Sequence, residues 1–188
     1  MKKGLIAFFV VIIVLIVGSV GWYFSIYNNL VTLEESVSSA WSEIDNQLLR
    51  RADLIPNLVN TVKGYADQEK DIFENIANAR AGLLNAQGPQ EKIDASNNLD
   101  SAISRLLMVV ENYPDLKSDS LFIQLMDELS GTENRLAVAR KRYNDSVREF
   151  NTKIKTFPAK MIANNNGYES KPYFEIPAAS RENPQVNF

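Results

Sequence analysis

The chain has 188 residues, 45% of them hydrophobic, with 23 acidic against 20 basic side chains and a net charge of −3. The length suits one folded domain plus appendages, and the acidic balance argues against a general nucleic-acid binder. The absence of both cysteine and histidine excludes disulfides, Cys/His metal sites, thiol nucleophiles and imidazole acid–base chemistry.

Lys2 and Lys3 precede an uncharged run over 4–24, and 5–17 is wholly apolar. About 20 helical residues cross a ~30 Å hydrocarbon core, so this run is long enough to span a bilayer. Trp22 and Tyr23 suit the far interface. The competing reading is a signal peptide cleaved near Ser19-Val20-Gly21. The apolar run exceeds a usual signal core and helical pattern resumes from Tyr27, so residues 1–25 are read as an uncleaved single-pass anchor. Lysines stand before the span and none of Lys or Arg follows until Arg50. The positive-inside rule then puts the N-terminus in the cytoplasm and the rest outside the inner membrane.

Beyond the anchor the periodicity predicts an all-α domain over 26–158, with helices near 26–64, 67–86, 90–112 and 119–157. The first seam runs Leu30, Leu33, Val37, Ala40, Ile44, Leu48, Arg51, Ile55, Leu58, Val62, Tyr65. The last runs Leu125, Leu129, Thr132, Leu136, Ala139, Tyr143, Val147, Phe150, Ile154, Phe157. Steps of three and four with one extra four mark long packed helices of coiled-coil type. Gly88-Pro89 and Tyr113-Pro114-Asp115 are breaks, and Ser118 or Asp119 offers an N-cap. The expected architecture is an elongated antiparallel four-helix bundle, with an extended tail over 159–188.

The odd segment is QLLRRADLIPNL, 47–58, where Arg51 falls on the apolar seam and Pro56 lacks the N–H for its helix. Antiparallel pairing of the two long helices brings RRAD opposite TENR, 132–135, and Pro56 opposite Gly131. Arg50, Arg51, Asp53, Glu133 and Asn134 are therefore read as a structural polar layer, and Pro56 with Gly131 as a kink. A carboxylate pair serving as acid and base is the functional rival. The basic residues Arg135, Arg140, Lys141, Arg142, Arg148, Lys153, Lys155 and Lys160 are read as a solvated face pairing with Glu34, Glu35, Glu43 and Asp45. Attraction of Lys153, Lys155 and Lys160 to anionic head groups is the alternative.

The two shorter helices reach only part of the length of the long ones, which span about 58 Å each. Leu30, Leu33, Val37, Phe150, Ile154 and Phe157 then form an incompletely enclosed stalk seam, expected to join copies of the chain. Pro172, Tyr173 and Phe174 need a surface to dock on, and a groove of this chain or of a neighbouring subunit would serve.

These residues resemble the LemA family of bacterial membrane-anchored proteins. The likeness rests on YNNLVTLEESVSSAWSEIDNQLLRRADLIPNLVNTVKGYA, on GTENRLAVARKRYNDSVREFN, and on FPAKMIA, KPYFE and PQVNF. It implies a transmembrane helix followed by a helical bundle, and no defined reaction. Where that family has an apolar, Phe-bearing segment, this chain reads NNNGYES, 164–170. No phosphate loop or calcium-loop spacing occurs, so no cofactor, metal ligand or catalytic residue is assigned. The expected function is a non-enzymatic membrane scaffold that self-assembles. An adaptor for a membrane protein partner such as a protease is the second reading, and a carboxylate hydrolase the third.

Overall fold

The computed structural model describes residues 2–66 and 68–175, and they hold helices without a strand. The elements are α1 (Lys2–Lys63), α2 (Lys70–Asn85), α3 (Gly88–Val110), α4 (Pro114–Lys117), α5 (Ser120–Lys155) and α6 (Ala159–Asn165). The closing residues 176–188, including PQVNF, lie outside the described set. Two compact units divide the chain, one of Met1–Ser39 with Asp145–Lys171 and one of Ala40–Asn144 with Pro172–Phe188.

In the second unit, residue pairings set the helix directions. Glu43 meets Arg142, Gln47 meets Arg135, Arg51 meets Glu133, and Tyr65 meets Asp119, so α1 and α5 run oppositely. Asp45 pairs with Lys92 and Arg51 with Asp100, so α3 runs parallel to α1. Ala52 meets Arg80, and Lys63 lies over the Phe73 ring, which makes α2 antiparallel to α1. The core comes from the seam positions: Ile44, Leu48, Ile55, Leu58 and Val62 of α1, Phe73, Ile76 and Leu83 of α2, Leu99, Ile103 and Leu106 of α3, and Leu129, Leu136 and Tyr143 of α5. Tyr65 leaves this seam. It is exposed, and its hydroxyl donates to Asp119 Oδ2 at 2.9 Å. Asp119 caps α5 by accepting the Leu121 and Phe122 amides at 2.8 and 2.9 Å. Those amides and the Tyr65 hydroxyl hold its carboxyl below the ordinary range. Gly88, at φ +77, makes the turn into α3 where a side chain would be strained.

In the first unit the apolar N-terminal part of α1 is exposed along its length, and it is long and apolar enough to cross a membrane. Above it the seam is closed by the chain itself. Leu30, Val37, Phe150 and Ile154 are buried, together with Ala159, Ile162 and Ala163 of α6, and Tyr168 stands edge-on to Phe150 at 6.1 Å. This corrects two expectations. Residues 159–165 are helical rather than extended, ended by Gly167 at φ +73 with the Tyr168 amide bonded back to Ala163 O. The stalk seam is not an open stripe: Leu30, Val37, Phe150 and Ile154 are buried and Leu33 half-buried within the chain. Phe157 is no part of it: α5 ends at Lys155, and the Phe157 ring turns out to be 80% exposed.

Pro56 sits within α1 without ending it. The carbonyl it leaves without a helical donor is that of Ala52, and Arg80 Nε of α2 donates to this oxygen at 2.8 Å. Gly131 plays no facing role. A Cβ there would meet only the Arg135 guanidinium, 3.4 Å away. Arg80→Met should therefore strand a buried carbonyl, at a cost of about 1–3 kcal/mol. In a Pro56→Ala background the restored N–H should remove much of that cost. Urea unfolding of the four chains in a double-mutant cycle measures the coupling, and purely additive losses would reject this explanation.

Candidate functional site

Arg51, on the apolar seam, is 7% exposed. An isolated guanidinium there would be costly, and the fold surrounds it with charge from two other helices. Arg51 Nη1 lies 2.7 Å from Asp100 Oδ1 of α3 and 2.5 Å from Glu133 Oε2 of α5. Arg140, one helical turn past Leu136, contacts the same carboxylates, at 3.8 Å from Asp100 Oδ2 and 3.5 Å from Glu133 Oε1. The result is two cations and two anions, formally neutral.

Of the residues expected in the layer, Arg51 and Glu133 are brought together and the others are not. Arg50, Asp53 and Asn134 are exposed, so none of them enters the layer. Arg50 stands one residue from the nearest seam position and Asp53 and Asn134 two, so they turn about 100° or 200° away from it on a helix. Asp100 and Arg140 take their place. Asp100 was invisible because its partner is on another helix, although its position beside the buried Leu99 was a signal. Arg140 had been grouped with the solvated basic face, yet it is buried, whereas its neighbour Arg142 does pair with Glu43 at 2.9 Å.

The layer is imperfectly satisfied. Arg51 Nε, Arg140 Nε and Nη2, and Asp100 Oδ1 are buried without an aligned hydrogen bond, so the 2.7 Å Arg51–Asp100 approach is a charge contact. Burial raises the Asp100 carboxyl above its ordinary value near 3.8, outweighing the opposing pull of Arg51 and Arg140. Burial likewise lowers the Arg140 guanidinium.

An extended segment covers this layer. The Phe174 ring packs under Arg140, 4.6 Å from guanidinium carbon to ring centroid, and Trp41 lies 6.5 Å from Phe174 and 5.3 Å from Tyr143. Asn144 holds the segment by both ends of its amide: Nδ2 donates to Phe174 O at 3.0 Å and Oδ1 accepts the Phe174 amide at 2.8 Å. The Tyr143 hydroxyl donates to Pro172 O at 2.9 Å, and burial pushes that phenol up to about 12. Asn151 repeats the same clamp in the first unit, on Lys171. The docking surface for Pro172, Tyr173 and Phe174 is thus this same chain, with Phe174 buried and Tyr173 exposed. The two asparagines went unremarked in the sequence. They stand seven residues apart on α5, a spacing that repeats a helix face, and this was the available clue. No group of three or more metal-ligating side chains forms among the described residues.

Two outcomes follow from this geometry. Arg51→Met leaves two carboxylates sharing Arg140 alone and should cost about 3 kcal/mol, at the low end of a broken buried pair because both acids are part-exposed. Asp100→Asn should cost less, since burial already favours its neutral form. The native state binds the Asp100 proton more tightly than the unfolded chain does, so this group's contribution is present at low pH and is lost as pH rises through the window above 3.8. Asn at 100 should remove that part of the pH dependence, as read by unfolding at a series of acidic pH values. Separately, Asn144→Leu should release the covering segment, and hydrogen exchange at the Phe174 amide should then approach the rate of an open loop.

The LemA family model matches residues 40–188. The chain is 25% identical to magnetosome protein MamQ 2 of Paramagnetospirillum magneticum, over 79% of this chain and 64% of that protein. It is 26% identical to protein LemA of Metamycoplasma hominis, over 83% of this chain and 72% of that one. Against MamQ of Magnetospirillum gryphiswaldense it is 27% identical, over 81% and 66%. The chain therefore spans somewhat less than two thirds of the MamQ 2 length. The family match takes in all four members of the charge layer and the segment that covers it: the chain belongs to the LemA family.

Proposed function

We propose that this protein is a non-catalytic, membrane-anchored helical scaffold of the bacterial envelope, its N-terminus cytoplasmic and its helices outside the inner membrane. The observation that carries the reading is α1 itself. One uninterrupted helix, Lys2–Lys63, begins as an exposed apolar span and continues as a buried core element. We read residues 40–63 of α1, α2, α3 and residues 120–144 of α5 as an antiparallel four-helix bundle, stiffened by the Arg51 layer. The carboxylates of that layer are engaged by arginines, one of which stacks on Phe174, and this suits structure better than acid–base chemistry.

Self-assembly remains part of the proposal, with a changed basis. The stalk seam is closed within the chain, so association rests on the raised local concentration of anchors in one bilayer. An adaptor for a membrane-embedded protease is the second reading. The particle mass in mild detergent separates them: a multiple of the subunit mass supports the scaffold, and a protease at fixed stoichiometry supports the adaptor. A single-subunit mass without a partner rejects both. Orientation has its own test, because the chain has no native cysteine. A cysteine at exposed Met108 should react with an impermeant maleimide in whole cells, after outer-membrane permeabilisation where one exists. Labelling only after inner-membrane lysis reverses the topology.

A further inference from the structure

The first unit carries an exposed corner at the level where the apolar span ends. Ser36 Oγ lies 3.4 Å from Ser146 Oγ, and Asn29 and Leu33 share a groove with Asp145, Glu149, Thr152 and Thr156, so α5 descends beside α1 toward the span. Lys155, the last residue of α5, is nine residues past Ser146, and Tyr27 is nine residues before Ser36. At 1.5 Å per helical residue both steps are about 13 Å, which sets Lys155 level with Tyr27 and the turn at Phe157 just beyond it, toward the span. The end of α6 is tied to the same stretch of α1, since Asn166 Nδ2 donates to the Tyr23 hydroxyl at 3.3 Å.

At this level α6 turns Ala159, Ile162 and Ala163 inward and leaves Lys160 and Met161 outside. Met161 is 61% exposed and Phe157 80%, while Lys155 and Lys160 are exposed without an ion pair among the described residues. A single exposed apolar side chain is ordinary. Here an aromatic, a methionine and two cations without an ion pair among the described residues lie near the level of Trp22 and Phe24, which are themselves more than half exposed at the end of the span. That combination matches a bilayer interface, where apolar side chains enter the acyl boundary and cations meet phosphates.

We propose that the turn at Phe157 and the outer face of α6 form a lipid foot, seating Phe157 and Met161 in the bilayer surface while Lys155 and Lys160 engage anionic head groups. The foot would hold α1 at a fixed tilt and depth instead of leaving it to swivel about its span. The proposal rests on the reading of α1 as a membrane anchor, and the experiment separates the two. The full chain, with a single cysteine at Phe157, Met161 or Glu35, is labelled with an environment-sensitive fluorophore and reconstituted into lipid nanodiscs. Glu35 is exposed and about 18 Å further along α1 than Tyr23, so it serves as the aqueous reference. Failure of the chain to enter discs at all would defeat the anchor reading itself. With the chain inserted, probes at Phe157 and Met161 should shift to the blue and be quenched by head-group-depth quenchers in phosphatidylglycerol-containing discs. Both effects should fall severalfold in pure phosphatidylcholine, in high salt, and in the Lys155→Gln/Lys160→Gln chain. Probes as wet as the one at Glu35, equal quenching in both lipids, or cross-linking of Met161→Cys between two copies would each overturn the foot.

Discussion

A positive charge on an apolar seam is the constraint around which the second unit is organised. Arg51 occupies a position that the heptad pattern reserves for a side chain such as Leu, and desolvating it alone would cost more than one helix–helix contact returns. The chain answers with carboxylates from α3 and α5, and with a second arginine that prevents the two acids from facing each other uncompensated. Three helices are thereby tied at one level by interactions that tolerate little sliding, because a shift of one residue would turn Arg51 out of reach of both acids. Apolar contacts between Leu and Ile side chains do not discriminate registers in that way. Its unaligned buried nitrogens offset part of what the ion pairs contribute to stability.

The same level carries a second defect and a second repair. Pro56 deprives Ala52 O of its helical donor only one residue past Arg51, and Arg80 supplies the missing N–H from α2. The helices α2, α3 and α5 consequently each contribute a charged group to a stretch of α1 about one turn long. Phe174 then completes the enclosure, presenting its ring to Arg140 and its backbone to Asn144. An aromatic face is well suited to this place, since it shields a guanidinium from water while interacting favourably with its charge.

Much of this was legible in the sequence, and what was missed has a common cause. The seams of α1 and α5 could be read because helical burial follows a local period, and nearly every assigned position from Leu30 to Val62 and from Leu125 to Ile154 is buried or half-buried. The partners of Arg51 could not be read the same way. A two-helix alignment can nominate Glu133, but Asp100 arrives on a third helix whose rotation no pairwise register specifies. Pro56 was recognised as a broken hydrogen bond and assigned the wrong compensation, since a facing glycine is a local idea and Arg80 is a long-range one. The Asn144 and Asn151 clamps were missed because asparagine within a helix reads as a weak helix former, unless an unpaired strand of backbone is known to pass beside it.

The short helix α6 shows how one misjudged element redirects a functional argument. With residues 159–165 extended, the seam of Leu30, Val37, Phe150 and Ile154 lacked a wall, and a second copy of the chain was the natural way to supply one. With α6 helical, Ile162 and Ala163 are buried along with the four seam residues, and no open stripe there calls for a partner. The apolar surface is not abolished by this change. It is transferred to the outer side of the same helix, where Met161 and the neighbouring Phe157 remain in the open beside unpaired lysines. Packing within the chain thus takes up the seam, and the residues left over are those that the proposed lipid foot would seat in the bilayer that α1, read as an anchor, would bring close.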